Sequence, residues 1–105
     1  MKFLVSLRRR EGVPVPPEAV AGILMAQRDW IREKLDEGVF DCAYVLAQGS
    51  GGIAIVNARS GEELSAILTE APSFPIVAID VQLLADVATL ENATNALQRM
   101  TASVG

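Results

Sequence analysis

The spacing of hydrophobic residues along this chain switches between two and three-to-four, and the order of those switches limits the fold more than any other feature. Phe3, Val5 and Leu7 alternate over residues 2–8, as on one face of a strand. Gly12, Pro14, Pro16 and Pro17 then break the chain, and Pro17 followed by Glu18 suits the first turn of a helix. Val20, Ile23, Leu24, Gln27, Ile31 and Leu35 recur at helical steps over about residues 17–37, until Gly38 stops them. Alternation returns over residues 39–47, which predicts one strand face carrying Phe40, Cys42, Tyr44 and Leu46. Gln48-Gly49-Ser50-Gly51-Gly52 makes a turn into a further strand over residues 52–58. A second helix is predicted at about residues 60–70, with Ser60 as N-cap, Glu63 completing a capping box, and Leu64, Ile67 and Leu68 buried. Ala71 to Pro75 ends it, and Val77, Ile79, Val81 and Leu83 alternate in a last strand over residues 76–84.

The order β-α-β-β-α-β is the ferredoxin-like pattern. It predicts an α+β domain over residues 1–84, with a four-stranded antiparallel sheet and two helices on one face. The other face is predicted to carry Leu4, Ser6, Ala43, Val45, Ala54, Val56, Ala78 and Asp80, or the alternate set. Either set is too apolar to leave wet, so a homodimer paired face to face through its sheets is expected. Residues 85–105 form a C-terminal helical arm, in which Leu90, Ala93, Leu97 and Met100 make a weak stripe. Packing on a partner subunit and covering its own domain are the two roles open to it.

Composition narrows the chemistry. Of 105 residues, 50% are hydrophobic, one is cysteine and none is histidine. An internal disulfide, an ordinary zinc site and any histidine-based triad are thereby excluded, and acid–base work falls to carboxylates, Lys, Tyr, Cys or water. The net charge is −4, and Arg8-Arg9-Arg10 is the one basic cluster, so nucleic acid is not an expected partner. Arg8 remains a candidate for binding a carboxylate ligand. Phe3-Leu4-Val5 is too short for a signal peptide, and no apolar run approaches the 18 or so residues of a membrane span, so a cytoplasmic protein with no membrane partner is expected.

The candidate site residues follow from these constraints. Tyr44 can donate to a ligand carbonyl, and Cys42 beside it is a candidate acid or base where a positive charge favours the thiolate. Asp80 is an acid within an otherwise apolar strand, a candidate base if enclosed. Gln27 on an apolar helix stripe, Trp30, Phe40 and Asn57 are candidate walls of a small-molecule pocket. The glycines at positions 49, 51 and 52 join two strands with no Lys after them, so they make a hairpin turn and not a phosphate loop.

Several short pieces, in order and nearly without gaps over residues 1–84, resemble the muconolactone isomerase family. They are Met1 to Leu7, Pro16 to Val20, Gly38, Ile53 to Asn57, Glu63-Leu64 and, most distinctive, Pro72-Ser73-Phe74-Pro75. The resemblance implies a dimeric α+β barrel, often assembled into decamers, and cofactor-free isomerisation of a small lactone by a proton shift in aromatic-acid catabolism. Aligned from Pro16, the acid of the family's first helix falls at Gln27 and the histidine of its second strand at Cys42. Two flanking tryptophans fall at Phe40 and Tyr44, and an arginine at Val45. Cofactor-independent monooxygenases and polyketide cyclases share this barrel, and a non-catalytic ligand-binding module is a further reading of the same changes.

Overall fold

The computed structural model describes residues 1–104. Its elements run β1 (Lys2–Arg9), α1 (Pro17–Asp36), β2 (Phe40–Val45), β3 (Gly51–Asn57), α2 (Gly61–Thr69), a 3-10 turn (Phe74–Ile76), β4 (Val77–Leu84) and α3 (Ala88–Val104). The strands form one antiparallel sheet in the order β2-β3-β1-β4. This is the expected ferredoxin-like arrangement, with β2 and β4 as edges.

Local chemistry sets the element ends. Pro17 opens α1 without a side-chain cap, and Gly38 closes it at φ 75°, a conformation that disfavours a Cβ. Ser60 caps α2 by accepting from the Glu63 amide at 3.1 Å. The capping box is only half made, because the Glu63 carboxylate turns to the Arg59 guanidinium at 2.8 Å. In the hairpin between β2 and β3, a Cβ on Gly51 would meet the Leu7 carbonyl oxygen at 2.0 Å, so β1 lies against bare backbone there.

The core lies between the sheet and its helices. Phe3, Val5, Phe40, Val56, Ala58, Leu64 and Leu68 are its buried residues, with Trp30, Ile31, Ala43, Ala54 and Ile79 packed around them. Trp30 meets Phe40 edge-on, with ring centroids 5.3 Å apart at 82°. Helix α1 lies over β2, and Lys34 near its end reaches Glu70 beyond α2 at 3.6 Å.

Two expectations need correction. The pairing of β2 with β3 shifts register between Phe40 and Cys42. The shift is a bulge at Asp41, and one extra residue reverses every side chain beyond it. Phe40 and Ala43 therefore face the helices, while Cys42 and Tyr44, opposite Ile55 and Ile53, face the other way. Phe40, Cys42 and Tyr44 do not share a face. The set predicted for the outer face is split likewise. Leu4, Ser6, Ala78 and Asp80 lie there, on the side of Ile53 and Ile55, but Ala43, Val45, Ala54 and Val56 belong to the helix side.

Helix α3 stands apart. Among residues 88–102 only Ala96 is half-buried, and Leu90 and Leu97 are 69% and 64% exposed. The radius of gyration is 18.5 Å and the longest extent 67 Å, against a radius of roughly 13 Å for a compact domain of this length. Asp86 caps its start: the carboxylate accepts from the Ala88 amide at 2.9 Å.

Candidate functional site

The candidate residues fall into two groups on opposite sides of the sheet. Gln27, Trp30 and Phe40 meet on the helix side. Gln27 is buried, and its Oε1 accepts from the Ser73 amide at 3.1 Å. The amide side chain therefore ties α1 to the Pro72-Ser73-Phe74-Pro75 segment ahead of β4. Trp30 lies one turn further along α1, and its Nε1 is a buried donor with no hydrogen-bond partner among the described residues. A buried N–H in that state is a site of unspent hydrogen-bonding capacity.

The second group lies on the open face. Read across the sheet, Tyr44, Ile53, Ser6 and Asp80 form one row, and Cys42, Ile55, Leu4 and Gln82 the next. Tyr44 is 66% exposed and Asp80 is exposed. They stand on the two edge strands, three strand spacings or roughly 14 Å apart. Arg8 lies on the same face, level with Gly51 and Ala78, and is exposed.

Asn57 belongs to a polar cluster at the far end of this face. Lys2 donates to Asn57 Oδ1 at 2.9 Å and also to Asp41, and Asn57 Nδ2 donates to Asp41 at 2.6 Å and to the Gly38 carbonyl at 3.2 Å. The hydrogen bonds from Lys2 and Asn57 hold the Asp41 carboxyl below its usual range. The cluster pins the bulge to β1 and β3. Sequence reasoning singled out Asn57 alone; Lys2 and Asp41, two opposite charges on the strands that flank β3, were the missed signal.

A third feature was not foreseen. Between α2 and β4 an open groove of about 400 Å³ is lined by Phe3, Leu64, Leu68, Phe74, Ile79 and Val81, with Ser65 and Thr69 as its hydroxyls. None of the candidate site residues lines it, and it holds no titratable group. The groove exists because α2 has nine residues, roughly 14 Å of helix, over an eight-residue strand of roughly 27 Å. Among the described residues no group of three or more Cys, Asp or Glu is placed to hold a metal ion, and no helix is long and apolar enough to cross a membrane.

The sequence profile of the muconolactone delta-isomerase family matches residues 1–88. The chain belongs to this family. Among solved structures, a muconolactone isomerase superposes with a TM-score of 0.72 at 21% identity, covering 82% of this chain and 90% of that one. The 5-chloro-2-hydroxyhydroquinone dehydrochlorinase TftG of Burkholderia phenoliruptrix AC1100, in complex with 2,5-dihydroxybenzoquinone, superposes with a TM-score of 0.64 at 15% identity, covering 85% of this chain and 98% of that one. No curated protein matches. This member of the muconolactone delta-isomerase family thus has the monomer fold of the dimeric α+β barrel class. The family match ends at residue 88, where α3 begins.

Proposed function

We propose that this protein is a cofactor-free isomerase that shifts a proton within a small lactone or a related enolisable metabolite. Membership of the muconolactone delta-isomerase family over residues 1–88 is the observation that carries the reading. The cross-strand register supports a particular division of labour. Tyr44 and Asp80 lie too far apart to hold one small substrate within a single chain. In a homodimer stacked sheet to sheet about an axis parallel to the strands, β2 of one copy lies over β4 of the other. Tyr44 then faces Asp80 of a second copy across a gap of roughly 10 Å. Asp80, enclosed, takes the proton from one carbon and returns it to another, while Tyr44 donates a hydrogen bond to the carbonyl oxygen as negative charge builds there. Cys42 and Arg8 lie on the same enclosed face, Arg8 as partner for a substrate carboxylate. On the helix side, Gln27, Trp30 and Phe40 support the scaffold, with the Trp30 N–H a buried donor that has no partner among the described residues.

Incubation with muconolactone, followed by the change in ultraviolet absorbance, tests this. Turnover that Asp80→Asn abolishes and Tyr44→Phe reduces supports it. Absence of turnover by the intact protein removes this substrate. Unchanged rates in Asp80→Asn overturn the assignment of the base.

The likeness to a dehydrochlorinase in complex with a dihydroxybenzoquinone favours one second reading. Loss of hydrogen chloride from a hydroxylated ring asks for the same base and donor, so chloride release from chlorinated hydroquinones is the discriminating assay. Binding of such rings without turnover would fit a ligand-binding module.

A further inference from the structure

We propose that α3 is an exchanged arm, whose apolar stripe seats in the groove between α2 and β4 of a second copy of this chain. Three observations carry this, and none of them rests on the isomerase reading.

The first is the helix itself. Its 17 residues, ATLENATNALQRMTASV, contain two charges, Glu91 and Arg99. Thr89, Asn92, Thr94, Asn95 and Thr101 are poor helix formers. A helix of that length and composition is marginal in water, and burial of one face is what holds it. Leu90, Ala93 and Leu97 form such a face, at steps of three and four, and all three are exposed.

The second is direction. The Asp86 cap and the turn bonds from Thr89 to Asp86 and from Leu90 to Val87, both 2.9 Å, start the helix, and it runs clear of its own domain, with only Ala96 half-buried among residues 88–102. Its length of roughly 25 Å carries the stripe beyond the body.

The third is the seat. The groove is apolar, open and free of titratable groups, and β4 beside it still exposes Val81 at 44% and Leu83 at 60%. Because α2 is short, the helical layer lacks one helix over β4, and α3 is a helix that lacks a layer. The groove lies on the helix side, opposite the face proposed to pair in a sheet-stacked dimer. Arm exchange and sheet pairing therefore use separate surfaces, and the arm would link one dimer to the next.

Disulfide trapping tests the arrangement in the full-length chain, with Cys42→Ser removing the native thiol. One protein carries Leu97→Cys on the arm, with Leu90→Cys as a second arm position. Another carries Ser65→Cys in the groove. Mixed and oxidised, they are expected to give a covalent species holding one chain of each kind, at least fivefold more abundant than the arm-to-arm product. Predominant arm-to-arm bonding, or no bond from either arm position, overturns the proposal. So does an intrachain bond in a monomer carrying both substitutions. In light scattering, Leu90→Glu with Leu97→Glu is expected to reduce the assembled mass by half or more, leaving the sheet-paired species. An unchanged mass overturns arm exchange, whereas loss of sheet pairing in an Ile53→Arg variant bears only on the other face.

Discussion

Phe3 and Val5 point to one side of β1 and are buried; Leu4 and Ser6, their neighbours in the chain, point to the other and are only half-buried. Across the sheet the contrast continues, with Val56 wholly buried on the helix side and Ile53 39% exposed on the open side. The alternating strands are thus finished on one side and unfinished on the other. The finished side contains the packing that makes the chain fold. The unfinished side contains the titratable candidates, Cys42, Tyr44 and Asp80. The packing and the titratable candidates thus lie on opposite faces of a single layer, and each can be perturbed separately.

The largest test of that separation is Phe40→Ala. It removes a buried ring and its edge contact with Trp30, and should cost about 3–5 kcal/mol, read as a lower urea midpoint. A cost below 1 kcal/mol would break the assignment of Phe40 to the interior. Next, Gln27→Leu leaves the buried Ser73 amide without its acceptor and should cost about 1–3 kcal/mol, with the segment before β4 exchanging amide hydrogens faster. Ser60→Ala removes the cap of α2 and should lower stability by about 1 kcal/mol. On the open face, Ile53→Arg should change the unfolding free energy of the isolated chain by less than about 0.5 kcal/mol. Its effect should appear instead in light scattering, as loss of the sheet-paired dimer. A large loss of monomer stability there would erase the distinction between the faces.

The smallest effect is one of pH. The Asp41 carboxyl is held below its ordinary range by the hydrogen bonds from Lys2 and Asn57. A group whose folded value is depressed contributes stability that is fully present above the unfolded value of about 4. That contribution is lost as pH falls through the lower folded value. Asp41→Asn should therefore lower stability slightly at neutral pH, leave it unchanged below the folded value, and so flatten the acid limb of the stability curve between them. Thermal melts across pH 2 to 7 would show it.

The element order was legible because each segment keeps one period throughout: Phe3, Val5 and Leu7 alternate, and Val20, Ile23, Gln27 and Ile31 step helically. The two-faced sheet was legible for the same reason. What was not legible was the phase of β3 relative to β1, which only their pairing fixes, and the phase of β2. Alternation read from Phe40 assumes that no residue is skipped, and the bulge at Asp41 is fixed by contacts with Lys2 and Asn57 on distant strands. Gln27 stood out as a polar residue on an apolar stripe, but its partner Ser73, 46 residues away, is a tertiary fact. The groove was invisible because it arises from the lengths of α2 and β4 relative to each other and not from any residue. The arm was foreseen as a helix with a stripe; the structure adds where that stripe is carried.

The bulge at Asp41 has one further consequence. It divides β2 into two lengths of chain held to different packing constraints. Phe40 is bound to the interior and can change little, whereas Cys42 and Tyr44 beyond it are released from the interior altogether. Side chains two and four residues from a buried ring can therefore be exchanged on the open face without repacking the core.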